Sequence, residues 1–258
     1  MIKKWSITIP ELTGTKPRNA YVYVPDAFED NPDARYPVLY MFDGHNVFFD
    51  EDATYGKSWG MAEFVQESEL PVIIAAVECN HSPDNGRLKE YSPFTFDNPE
   101  MGRIRGRGRT TMEWLIGTFK PYIDAHFPTL PDREHTFIAG SSMGGLMTLY
   151  AVMCYNEVFS RGAALSPSIW FGTRKLDRLL CEHPIGSDTV LYMDYGSNEL
   201  PYHPNMKSQF SKVASRLLER GVLLDCRIVP GGNHNEASWE QQIPFFMNTL
   251  LYGLDDEI

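Results

Sequence analysis

The chain has 258 residues, 43% of them hydrophobic and 22% charged, a globular mixture that excludes a disordered polypeptide. Its 34 acidic and 23 basic residues leave a formal net charge of −11, the opposite of the balance that a nucleic-acid binder shows. No apolar run approaches the ~18 residues of a membrane span, so neither nucleic acid nor membrane is expected as a partner.

The amino-terminal MIKKWSITIP alternates like a strand and lacks the apolar stretch and cleavage site of a signal peptide. It predicts a strand at residues 5–9. A second strand at 19–24 follows a turn at Thr13-Gly14, and the two form an antiparallel edge hairpin. Continuous apolar runs at 38–42, 72–77, 136–139, 190–193 and 226–229 read as strands buried on both faces of a parallel sheet. Helical periodicity covers 110–125, 143–153, 207–220 and 237–251, with Gly221 at a C′ position and Pro244 expected to kink the last helix. The alternation predicts one α/β domain over residues 1–258: a mostly parallel central sheet, an antiparallel N-terminal hairpin and helices on both faces. Ligands bind such sheets at the carboxyl ends of the strands. The loops after residues 42, 77, 139, 194 and 229 should therefore converge. The four cysteines, Cys79, Cys154, Cys181 and Cys226, have no CxxC spacing. Free thiols in a reducing, cytoplasmic setting are expected, with no metal and no cofactor.

The sharpest motif is GSSMGG at 140–145, a G-x-S-x-G centred on Ser142. A nucleophile elbow passes from strand to helix so abruptly that only small residues fit two positions either side of the serine. The alternative is an ordinary glycine-rich turn, but here an apolar strand precedes the motif and a periodic helix follows. A serine hydroxyl needs a base. Of seven histidines, His234 in GGNHN (231–235) directly follows the last strand. The acid should lie between them, on the loop after the strand at 190–193. Glu199 lies past a glycine turn with freedom to meet His234, whereas Asp194 could instead brace the loop; both remain candidates. The oxyanion donors should be the backbone N–H of Met143 and one from DGHN (43–46), with His45 favoured.

These residues resemble the Putative esterase (esterase D-like) branch of the α/β-hydrolases, which includes feruloyl and acetyl esterases and enterochelin-type esterases. The similarity is carried by VLYMFDGHN (38–46), RLKEYSP (87–93), GSSMGG (140–145), LSPSIW (165–170) and GNHNEASW (232–239), which span nearly the whole chain in order. It implies Ser142 as nucleophile, His234 as base and an oxyanion hole at His45 and Met143. Relatives carry a G-x-x-D or G-x-x-E element after the seventh strand, which GSNE (196–199) matches, favouring Glu199. The resemblance does not extend to substrate.

One departure is MGRIRGRGR (101–109), whose alternating arginines read as a solvated loop or as a fork for an anionic group, with Arg105 as its representative. Trp170 and Phe48 lie on segments expected to border the pocket and to receive an aryl or acyl group. Trp239 is expected under the His234 loop. Together these features predict a serine carboxylic-ester hydrolase acting on a small-molecule or carbohydrate ester, of acetyl, feruloyl or other small acyl type. Acyl transfer to an alcohol and a catalytically silent binding protein are the alternatives. Oligomeric state is not encoded legibly.

Overall fold

The residues of Val38–Met41 and Ile73–Val77 are buried without exception. Strands with no polar face must be covered on both sides, and the chain supplies helices for both. The computed structural model describes residues 1–254, apart from the side chains of Asp30 and Cys181. Its main sheet has eight strands: β1 (Ile2–Thr8), β2 (Pro17–Tyr23), β3 (Val38–Met41), β4 (Ile73–Val77), β5 (Thr136–Ser141), β6 (Arg161–Leu165), β7 (Val190–Gly196) and β8 (Leu223–Val229). The spatial order is β1-β2-β4-β3-β5-β6-β7-β8. Strand β2 is antiparallel to both neighbours, and every pairing from β4 to β8 is parallel. The expected α/β sheet and its N-terminal antiparallel hairpin are therefore present. The hairpin is closed by a single helical turn, Pro10–Thr13, ending at Gly14 with φ 61°.

Alternate residues of the central strands enter separate cores. Tyr40, Ala75 and Ile138 pack on one face with Leu146 and Phe210, while Leu39, Ile74 and Phe137 pack on the other with Met61 and Phe246. Burial of this kind contributes about 25 cal/mol per Å² of apolar surface.

Two helices differ from the periodicity. The helical segment at 110–125 is observed as Gly108–Trp114, a π turn Leu115–Phe119 and Lys120–His126. Pro121 has no N–H and its ring would meet the carbonyl of Gly117, which an α register cannot accommodate. The last helix is broken, not kinked: Glu236–Glu240 is followed by Ile243–Leu251, with Pro244 in the first turn. In a first turn the missing N–H would have had no partner anyway. The helix Met206–Glu219 ends at Gly221 with φ 82°, and Gly221 N–H and Val222 N–H donate to the carbonyls of Leu218 and Leu217, the double closure that glycine permits. Cys79, Cys154 and Cys226 are free thiols; Cys181 and residues 255–258 lie outside what is described. No helix among the described residues is long and apolar enough to cross a membrane.

Candidate active site

Register brings the loops together. Met41 of β3 stands opposite Ala139 of β5, Ser141 opposite Leu165 of β6, and Gly196 of β7 opposite Val229 of β8, so the chain segments leaving these strands emerge side by side. At the end of β5, Ser142 adopts φ 57°, ψ −118°, a region that costs a non-glycine residue about 1–3 kcal/mol. The surroundings hold it there: Ser142 N–H donates to Leu165 O at 2.9 Å, and its carbonyl accepts from Ser168 N–H at 2.9 Å. The glycines are a steric requirement. A Cβ on Gly140 would come within 2.8 Å of the Gly144 backbone, and one on Gly144 within 3.1 Å of Phe42 Cβ. Ser142 Oγ is partly exposed and hydrogen-bonds Ser168 Oγ at 3.3 Å. No hydrogen bond joins Ser142 to His234 among the described residues, although both line one cavity.

The loops after β7 and β8 are stitched together. Asn198 N–H donates to Gly232 O at 3.0 Å, Asn198 Nδ2 to Gly231 O at 3.1 Å, and Gly231 N–H to Ser197 Oγ at 2.8 Å. This carries Glu199 to His234, whose Nδ1 donates to Glu199 Oε2 at 2.6 Å. Glu199 Oε1 accepts from Ser166 Oγ at 2.6 Å and from Gly196 N–H at 2.9 Å. Asp194 does not reach the imidazole. Its carboxylate accepts from Ser166 N–H and Tyr192 OH, each at 3.0 Å, and burial pushes its pKa up to about 7, with the nearby Glu199 charge adding to the shift. Ser166, at φ 41°, also accepts from Trp239 Nε1 at 3.0 Å. Trp239 packs edge-on to the His234 ring, centroids 5.2 Å apart.

After β3, Asp43 takes a left-handed conformation and starts the turn Gly44–Asn46. A Cβ on Gly44 would lie 2.8 Å from the Val77 backbone, so this turn can sit against β4 only with glycine. Arg87 forks onto Asp43 with contacts of 2.7 and 2.6 Å, and Tyr91 OH accepts from Asp43 N–H at 3.1 Å. Burial alone would raise the Asp43 carboxyl, but Arg87 more than offsets it and leaves the pKa below its usual value. His45 is the second residue of this turn, and Met143 opens the helix Met143–Cys154. First-turn N–H groups have no intrahelical acceptor, so both are available to an anionic oxygen. Neither Arg87, Tyr91, Ser166 nor Ser168 is marked by any local pattern. They lie within stretches that carry the family resemblance, and that is their only signal.

The cavity measures about 650 Å³ and is walled by His45, His81, Arg87, Ser142, His234 and Glu236, among others. Burial raises the Glu236 carboxyl, which accepts from Asn46 Nδ2 at 3.2 Å. Phe48, Trp170 and Arg105, expected to meet substrate, are not among the residues that wall this cavity. Phe48 is 2% exposed and packs on Tyr21 in the core. Trp170 stacks on His203, centroids 3.9 Å apart, and stands 6.1 Å from His234, outside the cavity lining. Arg105 is exposed and also outside it, because Arg107 anchors that loop on the carbonyls of Glu11 and Leu12 at the sheet edge. Among the described residues one group has the makings of a metal site: His45, Cys79 and His81.

Comparison with known proteins agrees with this architecture. The Bacillus subtilis (strain 168) protein YbbA, itself uncharacterized, is 23% identical over 248 residues, covering 92% of this chain and 93% of that protein. The iron(III) salmochelin esterase of Escherichia coli is 27% identical over 187 residues; the match takes in 65% of this chain and 44% of the esterase, less than half its length. The crystal structure of an IroE-like serine hydrolase from Shewanella oneidensis superposes with a TM-score of 0.74 at 19% identity, over 97% of this chain and 79% of the other, which identifies the fold as that of the α/β-hydrolases. The family described as Putative esterase matches residues 13–250, and the chain belongs to that family.

Proposed function

We propose that the protein is a serine carboxylic-ester hydrolase that works through an acyl-enzyme. The observation that carries this reading is the imidazole of His234, gripped through Nδ1 by a buried carboxylate at 2.6 Å, on a cavity shared with a serine held in a strained elbow. Membership of an esterase family supports ester hydrolysis independently.

Ser142 Oγ attacks the ester carbonyl as its proton passes to His234 Nε2. The hydroxyl first swings from Ser168 towards the imidazole, an adjustment common when substrate-free triads are loosely hydrogen-bonded. Glu199 keeps Nδ1 protonated and stabilises the imidazolium. The backbone N–H groups of Met143 and His45 receive the oxyanion, where one donor is worth about 10²–10³ in rate. The alcohol departs with the proton from His234. Water then attacks the acyl carbonyl, gives its proton to His234, and the acid leaves as Ser142 Oγ is reprotonated. An open cavity of this size, walled by apolar surface together with polar groups such as Arg87 and Glu236, suits a small acyl or aryl-acyl group on a polar alcohol, such as an acetyl or feruloyl ester of a sugar. Cleavage of a siderophore ester is the precedent in the Escherichia coli relative.

A fluorophosphonate probe should label Ser142. Ser142→Ala should remain folded and lose about 10⁵-fold or more in kcat on p-nitrophenyl esters, methyl ferulate or acetylated oligosaccharides. Labelling at another residue, or retained turnover, would overturn the assignment.

A further inference from the structure

We infer that His45, Cys79 and His81 form a binding site for a zinc-like divalent cation in the wall of the Ser142 cavity. His45 comes from the turn after β3, and Cys79 and His81 from the loop after β4. One ligand atom of each lies within 4.8 Å of those of the other two. A tetrahedral zinc with bonds of about 2.0–2.3 Å needs its donors about 3.3–3.6 Å apart, so the side chains must close by up to about 1.2–1.5 Å. His81 is exposed and can supply most of that movement. Its ring already stands across His45, with centroids 4.6 Å apart and planes at 76°.

An independent observation comes from His45 itself. The residue is 4% exposed, and its Nδ1 is buried with no hydrogen-bond partner among the described residues. Its other nitrogen, Nε2, is engaged by Thr54 Oγ1 at 2.9 Å. With Nε2–H donating to Thr54, Nδ1 presents a lone pair. A metal-bound imidazole is built this way: one nitrogen ligates while the other donates to an oriented oxygen that fixes the tautomer. Leaving a buried acceptor unpaired is otherwise costly.

On binding, the metal–sulfur bond forms as the thiol proton leaves to solvent. Two imidazoles and a thiolate select zinc over magnesium or calcium, which prefer oxygen ligands. All three residues line the same cavity as Ser142. This inference does not depend on Ser142 being the nucleophile.

The test is titration of the chelator-treated protein with Zn²⁺ and, as a spectroscopic stand-in, Co²⁺. Binding of one Co²⁺ with a sulfur-to-metal charge-transfer band, and of one Zn²⁺ with release of one proton, is expected. Cys79→Ser should remove the band. His81→Ala, at an exposed position where folding is not at risk, should weaken binding by at least about tenfold, the scale on which even outer-shell partners matter. Absence of binding, a Co²⁺ spectrum without the thiolate band, or unchanged affinity in His81→Ala would each overturn the site.

Discussion

Asp194 lies within β7 and Glu199 just past its end; the two are almost equally hidden, at 1% and 2% exposure, yet their surroundings differ. Asp194 is sealed between Ser166 N–H and Tyr192 OH. These donors do not undo the cost of burying a charge, so its carboxyl stays protonated up to about pH 7. Glu199 sits one turn further on and meets an imidazole at the cavity edge. Ser166 touches both, giving its N–H to one and its hydroxyl to the other. Burial alone therefore does not distinguish the carboxylate that meets His234 from the one sealed beside Tyr192. What distinguishes them is a partner that can take up positive charge and also reach the cavity.

The contrast can be sharpened by substitution. Glu199→Gln should lower kcat by about 10²–10⁴-fold without unfolding the protein, since the amide cannot stabilise an imidazolium. A smaller effect than that of Asp194→Asn would exchange the roles of the two residues. Ser166→Ala removes a hydrogen bond from Glu199 and the acceptor of Trp239 Nε1. It should cost about 1–3 kcal/mol in chemical denaturation and about tenfold in kcat, the equivalent of one positioning hydrogen bond. No change in either would mean that the two carboxylates are independent. Asp194→Asn should leave kcat within a few-fold and alter the response to pH. The folded-state pKa of Asp194 is raised from 3.8 to about 7, so between those values the native state holds a proton that the unfolded chain has lost. Its contribution to stability is therefore present at low pH and falls as pH rises through this window, by up to about 4 kcal/mol. Melting temperatures should show the variant gaining on the parent between pH 5 and pH 8. Parallel curves would show that Asp194 does not titrate in the core.

The strands were legible because a segment buried on both faces has to be continuously apolar, as Val38–Met41 and Ile73–Val77 are. The elbow was legible because its demand is local: the site for a Cβ on Gly140 is taken by Gly144 itself. Pro244 was legible as an interruption, but whether it bends a helix or starts one depends on where the preceding turn stops. Arg105, Trp170 and Phe48 could be placed on segments near the strand ends, but their side chains could not be aimed. The Phe48 ring turns into the core against Tyr21, a choice made by packing with a residue far away in the chain.

The amino-acid sequence by itself determined the alternation of buried strands and helices, the serine at a glycine-flanked turn, and the order of serine, carboxylate and histidine along the chain. Each of these follows from short-range sterics or from the period of apolar residues. Only the tertiary structure decided that Glu199, and not Asp194, meets His234. It alone decided that Arg87 braces the turn at Asp43, and that His45 lies against Cys79 and His81. Those pairings depend on strand register and on contacts between loops, where a shift of one residue along a strand reverses the direction of every side chain; local composition does not record them.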